Sequence, residues 1–93
     1  MKGIQNPAAR QVKITHPLGV HARPSAKIVQ LASHFRSTVF LAVNGRTADA
    51  RSIVAVMLLA ASVGSTVTVE ARGPDAQEAL DAISTLISGR FEG

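Results

Sequence analysis

The residues with the most chemical promise sit in one short run, Gly19-Val20-His21-Ala22-Arg23-Pro24-Ser25. A glycine-bearing loop meets a helix start there, because Pro24 suits a first helical turn, where its missing N–H costs nothing. The first amides of a helix lack intrahelical partners and carry about half a positive charge from the macrodipole. The backbone N–H groups of Ala22 and Arg23, with the forked Arg23 guanidinium, would then converge beside the His21 imidazole. A phosphoryl group on an imidazole needs that setting: a ring nitrogen, donors for the phosphate oxygens, and an exposed loop that a second protein can reach. One histidine beside one arginine also suits a plainer reading, in which His21 caps the helix and Arg23 is a solvated charge. Spacing alone leans slightly to the plainer reading.

The other histidines invite less. His16 precedes Pro17 in the same loop, and His34 falls near the end of the first long helix, where the dipole favours it. A zinc site asks for three or four suitably spaced ligands. The chain has no cysteine, and Asp49 and Asp75 fall in distant turns. No metal site, disulfide, cysteine nucleophile or cofactor is expected.

Ser52 is the second residue of interest. It precedes the apolar run Ile53 to Ala61 as an N-cap would, and a phosphate on it would sit at a helix N-terminus. That run is apolar all round, whereas a short surface helix shows one polar face. Either the last helix covers it, or Ile53, Val54 and Met57 form an exposed docking patch, where a pliable Met adapts to several partners.

The elements that must position these residues follow from periodicity. Gln11 to Thr15 alternates as a short strand with Val12 and Ile14 inward, after a loose lead-in over residues 1–10. From Ala22 to Phe35 the period becomes helical, with Ile28, Leu31, Ala32 and Phe35 on one face. Thr38 to Val43 and Arg46 to Ala50 flank Asn44-Gly45, the strongest short hairpin signal. A short helix follows Ser52, with Gly64 a plausible stop. Val67, Val69 and Ala71 alternate in a fourth strand. Gly73-Pro74-Asp75 opens a last helix whose apolar face runs from Ala76 through Ala79, Leu80, Ile83 and Leu86 to Ile87, closed by Gly89. The order is β-α-β-β-α-β-α, which predicts a two-layer α+β sandwich: helices on one side of an antiparallel sheet whose other face meets water.

Composition sets the outer bounds. The 93 residues fit one domain, and 46% hydrophobic against 17% charged residues can fill a core. Aromatics are 3%, so that core must be aliphatic. The longest apolar run is too short to cross a bilayer, and no signal-peptide core is visible in the first residues, which points to the cytoplasm. A net charge of +4 raises nucleic acid as a partner. The basic residues are scattered, however, with no aromatic platform between them, so steering toward acidic protein partners suits the charge better. A small basic nucleic-acid-binding module remains the alternative of another class.

The run Gly19 to Ser25 resembles the active-site signature of the HPr family, the histidine-containing phosphocarriers of the bacterial phosphoenolpyruvate-dependent phosphotransferase system. Arg51-Ser52-Ile53-Val54-Ala55-Val56-Met57 resembles the family's second signature, a serine followed by an apolar helix. The element order and the Asn44-Gly45 hairpin agree, over about residues 11–90 as the carrier domain, with 91–93 as a tail. The resemblance implies an open-faced sandwich of four antiparallel strands with three helices on one face. It implies a monomeric carrier rather than a turnover enzyme. His21 would accept a phosphoryl group on Nδ1 from phosphorylated enzyme I and pass it to a histidine of an enzyme IIA domain, with Arg23 holding the phosphate. Ser52 matches the serine modified by a dedicated HPr kinase/phosphorylase in some bacteria. Ile53, Val54 and Met57 match the docking surface, with Val20 on its rim. Two features depart: Ser25 stands where the family commonly has Ala, and the lead-in is longer than usual. The tail Ser88 to Glu92 is similar to the nitrogen-related branch of carriers, NPr, which makes that branch an alternative.

Overall fold

A computed structural model describes residues 8–14, 22–59 and 64–89, the side chains of 22–24 excepted. Its elements are β1 (Ala8–Lys13), α1 (Ala22–Ala32), β2 (Thr38–Val43), β3 (Arg46–Asp49), α2 (Ile53–Leu58), β4 (Thr66–Arg72) and α3 (Ala76–Ser88). The strands form one sheet in the order β1-β4-β2-β3, each pair of neighbours antiparallel. The segment containing α1 therefore carries the chain from β1 past β4 to β2, and the segment containing α2 carries it from β3 past β2 to β4. These two split β-α-β units interlock, so neither can form its sheet alone.

Alternation explains the single core. Val39, Leu41 and Val43 of β2 and Val67, Val69 and Ala71 of β4 point the same way and are at most 2% exposed. Against them pack Ile28 and Ala32 of α1, Val56 of α2 and its neighbour Leu59, and Ala79, Leu80, Ile83 and Ile87 of α3. Fully burying one such aliphatic side chain contributes about 2 kcal/mol. No aromatic side chain among the described residues is fully buried; Phe35 and Phe40 are half-buried. At the hairpin, Asn44 and Gly45 both take left-handed backbone, φ 51 and 80, the pairing that matches strand twist in a tight turn.

Several boundaries differ from the sequence pattern. β1 starts at Ala8, three residues ahead of Gln11, so the end of the expected lead-in is strand: Ala8, Ala9 and Arg10 pair with Ala71, Glu70 and Val69. The long β4 offers those backbone partners, and backbone pairing needs no side-chain alternation. Thr15 lies outside the described residues, and Ile14 is buried just beyond the strand, its amide donating to Ser65 O at 2.9 Å. α1 stops at Ala32, short of Phe35, because the amides of His34 and Phe35 turn to Leu31 O and Ala32 O in tighter, three-residue bonds. α2 ends at Leu58 rather than Ala61, with Leu59 as its C-cap. Gly64, the expected stop, follows a stretch outside the described residues; at φ 93 it donates its amide to Ile14 O at 2.9 Å, ahead of β4. β3 ends one residue early, where the Ala50 amide turns to Val39 O at 2.8 Å.

One tertiary latch was invisible in the sequence. Asp75 holds the N-cap position of α3 but makes no side-chain cap to its own helix. Its carboxylate instead accepts the Ser37 hydroxyl at 2.6 Å, the Ser37 amide at 2.9 Å and the Arg36 amide at 3.0 Å. The turn before β2 is thereby tied to the turn before α3. Gly73 allows the approach: at φ 142, a Cβ there would lie 2.7 Å from Ser37 Cα.

The Ser37 hydroxyl, and after it the Arg36 amide, hold the Asp75 carboxyl below its ordinary value of 3.8. A depressed folded-state pKa stabilises the fold fully above the unfolded value, and that stabilisation is lost as pH falls through the folded value. Thermal melts across pH 2–5 should therefore show Asp75→Asn less stable at pH 5 and the gap to the parent closing as pH drops. A gap independent of pH would contradict the latch.

Candidate functional site

α1 begins at Ala22, so Ala22 and Arg23 stand in the first turn of the helix, where amides lack partners within the helix. His21 is the residue before it in the chain. His21, Val20 and His16 lie outside the described residues, and so does the side chain of Arg23. Ser25, one turn in, is fully buried, so this departure from the family's Ala fills a site with room for only a small side chain. α1 packs against α2, which makes the helix of the first motif a neighbour of the helix of the second.

The second motif is seen in full. Ser52 has extended backbone, φ −106 and ψ 107, and its Oγ accepts the Ala55 amide at 3.2 Å. Its own amide donates to Asp49 O at 3.0 Å, which anchors the helix start to the end of β3. Asp49 Oδ1 also accepts the Arg51 amide at 2.9 Å. At the other end of α2, the Arg46 guanidinium donates to Leu58 O at 3.1 Å, a cation at the negative end of the helix.

α2 is not covered, which decides between the two readings of its apolar sequence. Val54 and Leu58 are 63% and 66% exposed, and Ile53 is 38% exposed. Met57 is half-buried one turn on from Ile53, so the expected patch of Ile53, Val54 and Met57 stays together on one face and widens to take in Leu58. Leu58 was missed, yet its signal was available. Val56 is the buried residue of α2, and residues two positions to either side lie about 200° around the helix from it. Those residues are Val54 and Leu58. Exposed Arg51 precedes the patch, and Arg46, with Thr47, Ala55, Leu58 and Leu59, lines a shallow groove beside it. The surface is apolar with a basic border, suited to an apolar partner with acidic edges.

His34 is exposed after the end of α1. Among the described residues no three His, Asp or Glu come together as metal ligands, and no helix is long and apolar enough to cross a membrane.

Comparison with known proteins decides what this arrangement serves. Residues 8–89 match the family described as "PTS HPr component phosphorylation site". The chain belongs to the HPr family of phosphotransferase-system phosphocarriers. It is 56% identical over 82 residues to the phosphocarrier protein HPr of Cupriavidus necator, covering 88% of this chain and 92% of that one. The phosphocarrier protein NPr of Shewanella violacea is 37% identical over 83 residues, covering 89% and 91%. The identity thus favours HPr over the nitrogen-branch alternative that the tail suggested; residues 90–93 lie outside the described residues. The crystal structure of HPr from Bacillus anthracis superposes with a TM-score of 0.82 at 35% identity, covering 89% of this chain and 99% of that one. The four-stranded open-faced sandwich with three helices is the family fold, and the function is that of a phosphocarrier.

The cap at Ser52 yields a stability test. Ser52→Ala should cost about 1 kcal/mol in urea unfolding, and Ser52→Gly only a few tenths. Equal stability of the alanine variant and the parent would mean that the cap is not what holds α2.

Proposed function

We propose that His21 carries the phosphoryl group. The lone pair of its Nδ1 forms the new N–P bond as the N–P bond to phosphorylated enzyme I breaks. The group then leaves by the same displacement to a histidine of an enzyme IIA domain. Arg23 and the Ala22 and Arg23 amides hold the phosphate oxygens through charge-assisted bonds. The reading is carried by one observation: the match to a family described by its phosphorylation site runs through residue 21. The start of α1 at Ala22 supports it, because it sets His21 where partnerless amides lie ahead.

In this reading the chain is a monomeric cytoplasmic carrier, not a turnover catalyst: it holds a group between two proteins. Val20 and the patch of Ile53, Val54, half-buried Met57 and Leu58 form the surface that both partners meet in turn. Ser52 is a regulatory site for an HPr kinase/phosphorylase where the host has one. A phosphate there adds about −1.5 to −2 charge amid an apolar surface and opposes acidic partners. No nucleic acid is involved, since the charge of +4 is spread along the chain and serves to meet acidic proteins.

Incubation with enzyme I and phosphoenolpyruvate should add one acid-labile phosphate. His21→Ala should abolish it and His16→Ala should not; the reverse pattern defeats the assignment. Arg23→Ala should slow transfer at least about tenfold, near 1.4 kcal/mol of barrier, with an unchanged melting temperature. Ser52→Asp should weaken acceptance from enzyme I several-fold, and an unchanged rate removes the regulatory role.

A further inference from the structure

A second groove lies at the opposite edge of the sheet from β3. It is lined by Arg10, Gln11, Val12 and Lys13 of β1 and by Ser84 and neighbours of α3. Side chains of consecutive strand residues alternate between faces, so four in a row can line one groove only along the strand's edge. That edge is free: among the described residues β1 pairs with β4 alone. Every second residue of β1 thus turns an amide and a carbonyl outward. Beside this edge, Ser84 is only 4% exposed and its Oγ has no hydrogen-bond partner. A buried unpartnered hydroxyl is costly and calls for a reason.

We propose that this groove binds an extended acidic segment of a partner protein as a fifth strand. The free edge supplies the backbone ladder that strand addition uses. Arg10 and Lys13 supply the charge preference. They stand three residues apart and so point to opposite faces, which asks for two partner carboxylates also three apart. Arg10 already meets Asp81 at 2.7 Å, and a guanidinium has donors enough for a second carboxylate. The Ser84 hydroxyl is sealed from solvent beside this edge and takes no part in the ladder. A second copy of this chain is the poorer occupant, because pairing β1 with itself would bring the basic side chains of two copies together. The site lies at the opposite edge of the sheet from β3, away from the α2 patch, and does not rest on the assignment of His21.

The test titrates the full chain with a short synthetic peptide of valines and threonines bearing two glutamates three apart, followed by amide NMR. Saturable shifts should centre on Ala8–Lys13 and Ser84–Ser88, and the outer β1 amides should exchange more slowly. Replacing both glutamates by glutamine, or combining Arg10→Gln with Lys13→Gln, should weaken binding at least about tenfold. Ser84→Ala should raise the melting temperature, since it removes an unpartnered buried hydroxyl, and leave peptide affinity unchanged. Absent or non-saturable shifts at millimolar peptide overturn the proposal, as do shifts centred on α2 or equal binding of the glutamine peptide. β1 protection that grows with protein concentration alone would make the occupant a second copy and overturn it too.

Discussion

Burial of one face of the β4–β2 pair is the constraint on which the rest depends. Six side chains, Val39, Leu41, Val43, Val67, Val69 and Ala71, leave water together, and all three helices contribute to the same core. Because β4 lies between β1 and β2 yet is distant from both in the chain, this face exists only once β4 has been laid between them. The helices then have one place to go. A helix as short as α2 has no stability of its own. It is held by two buried anchors, Val56 and Leu59, by the Ser52 cap, and by Arg46 on its last carbonyls.

That arrangement leaves the outward side of α2 in water. A helix held by Val56 and Leu59 needs nothing from Val54 or Leu58, and both stand in water beside arginines. Exposed aliphatic side chains gain by contact with another protein. Carriers meet two proteins in succession, and a shallow apolar surface with a charged border can release each of them. The proposed phosphoryl site has the same economy. There a helix start and one arginine would stabilise the phosphate, with no pocket needed to select a small substrate.

The latch of Ser37 and Asp75 shows how a local signal can be right in type and wrong in partner. Gly73-Pro74-Asp75 opens the last helix as expected, and Asp75 stands at its N-cap position. Its carboxylate, however, serves the turn before β2, 38 residues away in the chain. Sequence spacing says nothing of contacts at that separation. The early start of β1 has a similar cause, since Ala8 and Ala9 carry no strand pattern and are strand because β4 extends far enough to pair with them.

By itself the sequence determined the element order, the hairpin at Asn44-Gly45, the alternation of β1 and β4 and the two motifs. Each of these is written in local periodicity or in residue types at short spacing. The tertiary structure alone decided that the apolar helix behind Ser52 is exposed, that Leu58 joins Ile53, Val54 and Met57 on its outer face, and that among the described residues β1 leaves a basic, unpaired edge beside Ser84. Those are matters of which side of an element faces a neighbour distant in the chain. An all-apolar helix and an edge strand carry no record of that in their own residues.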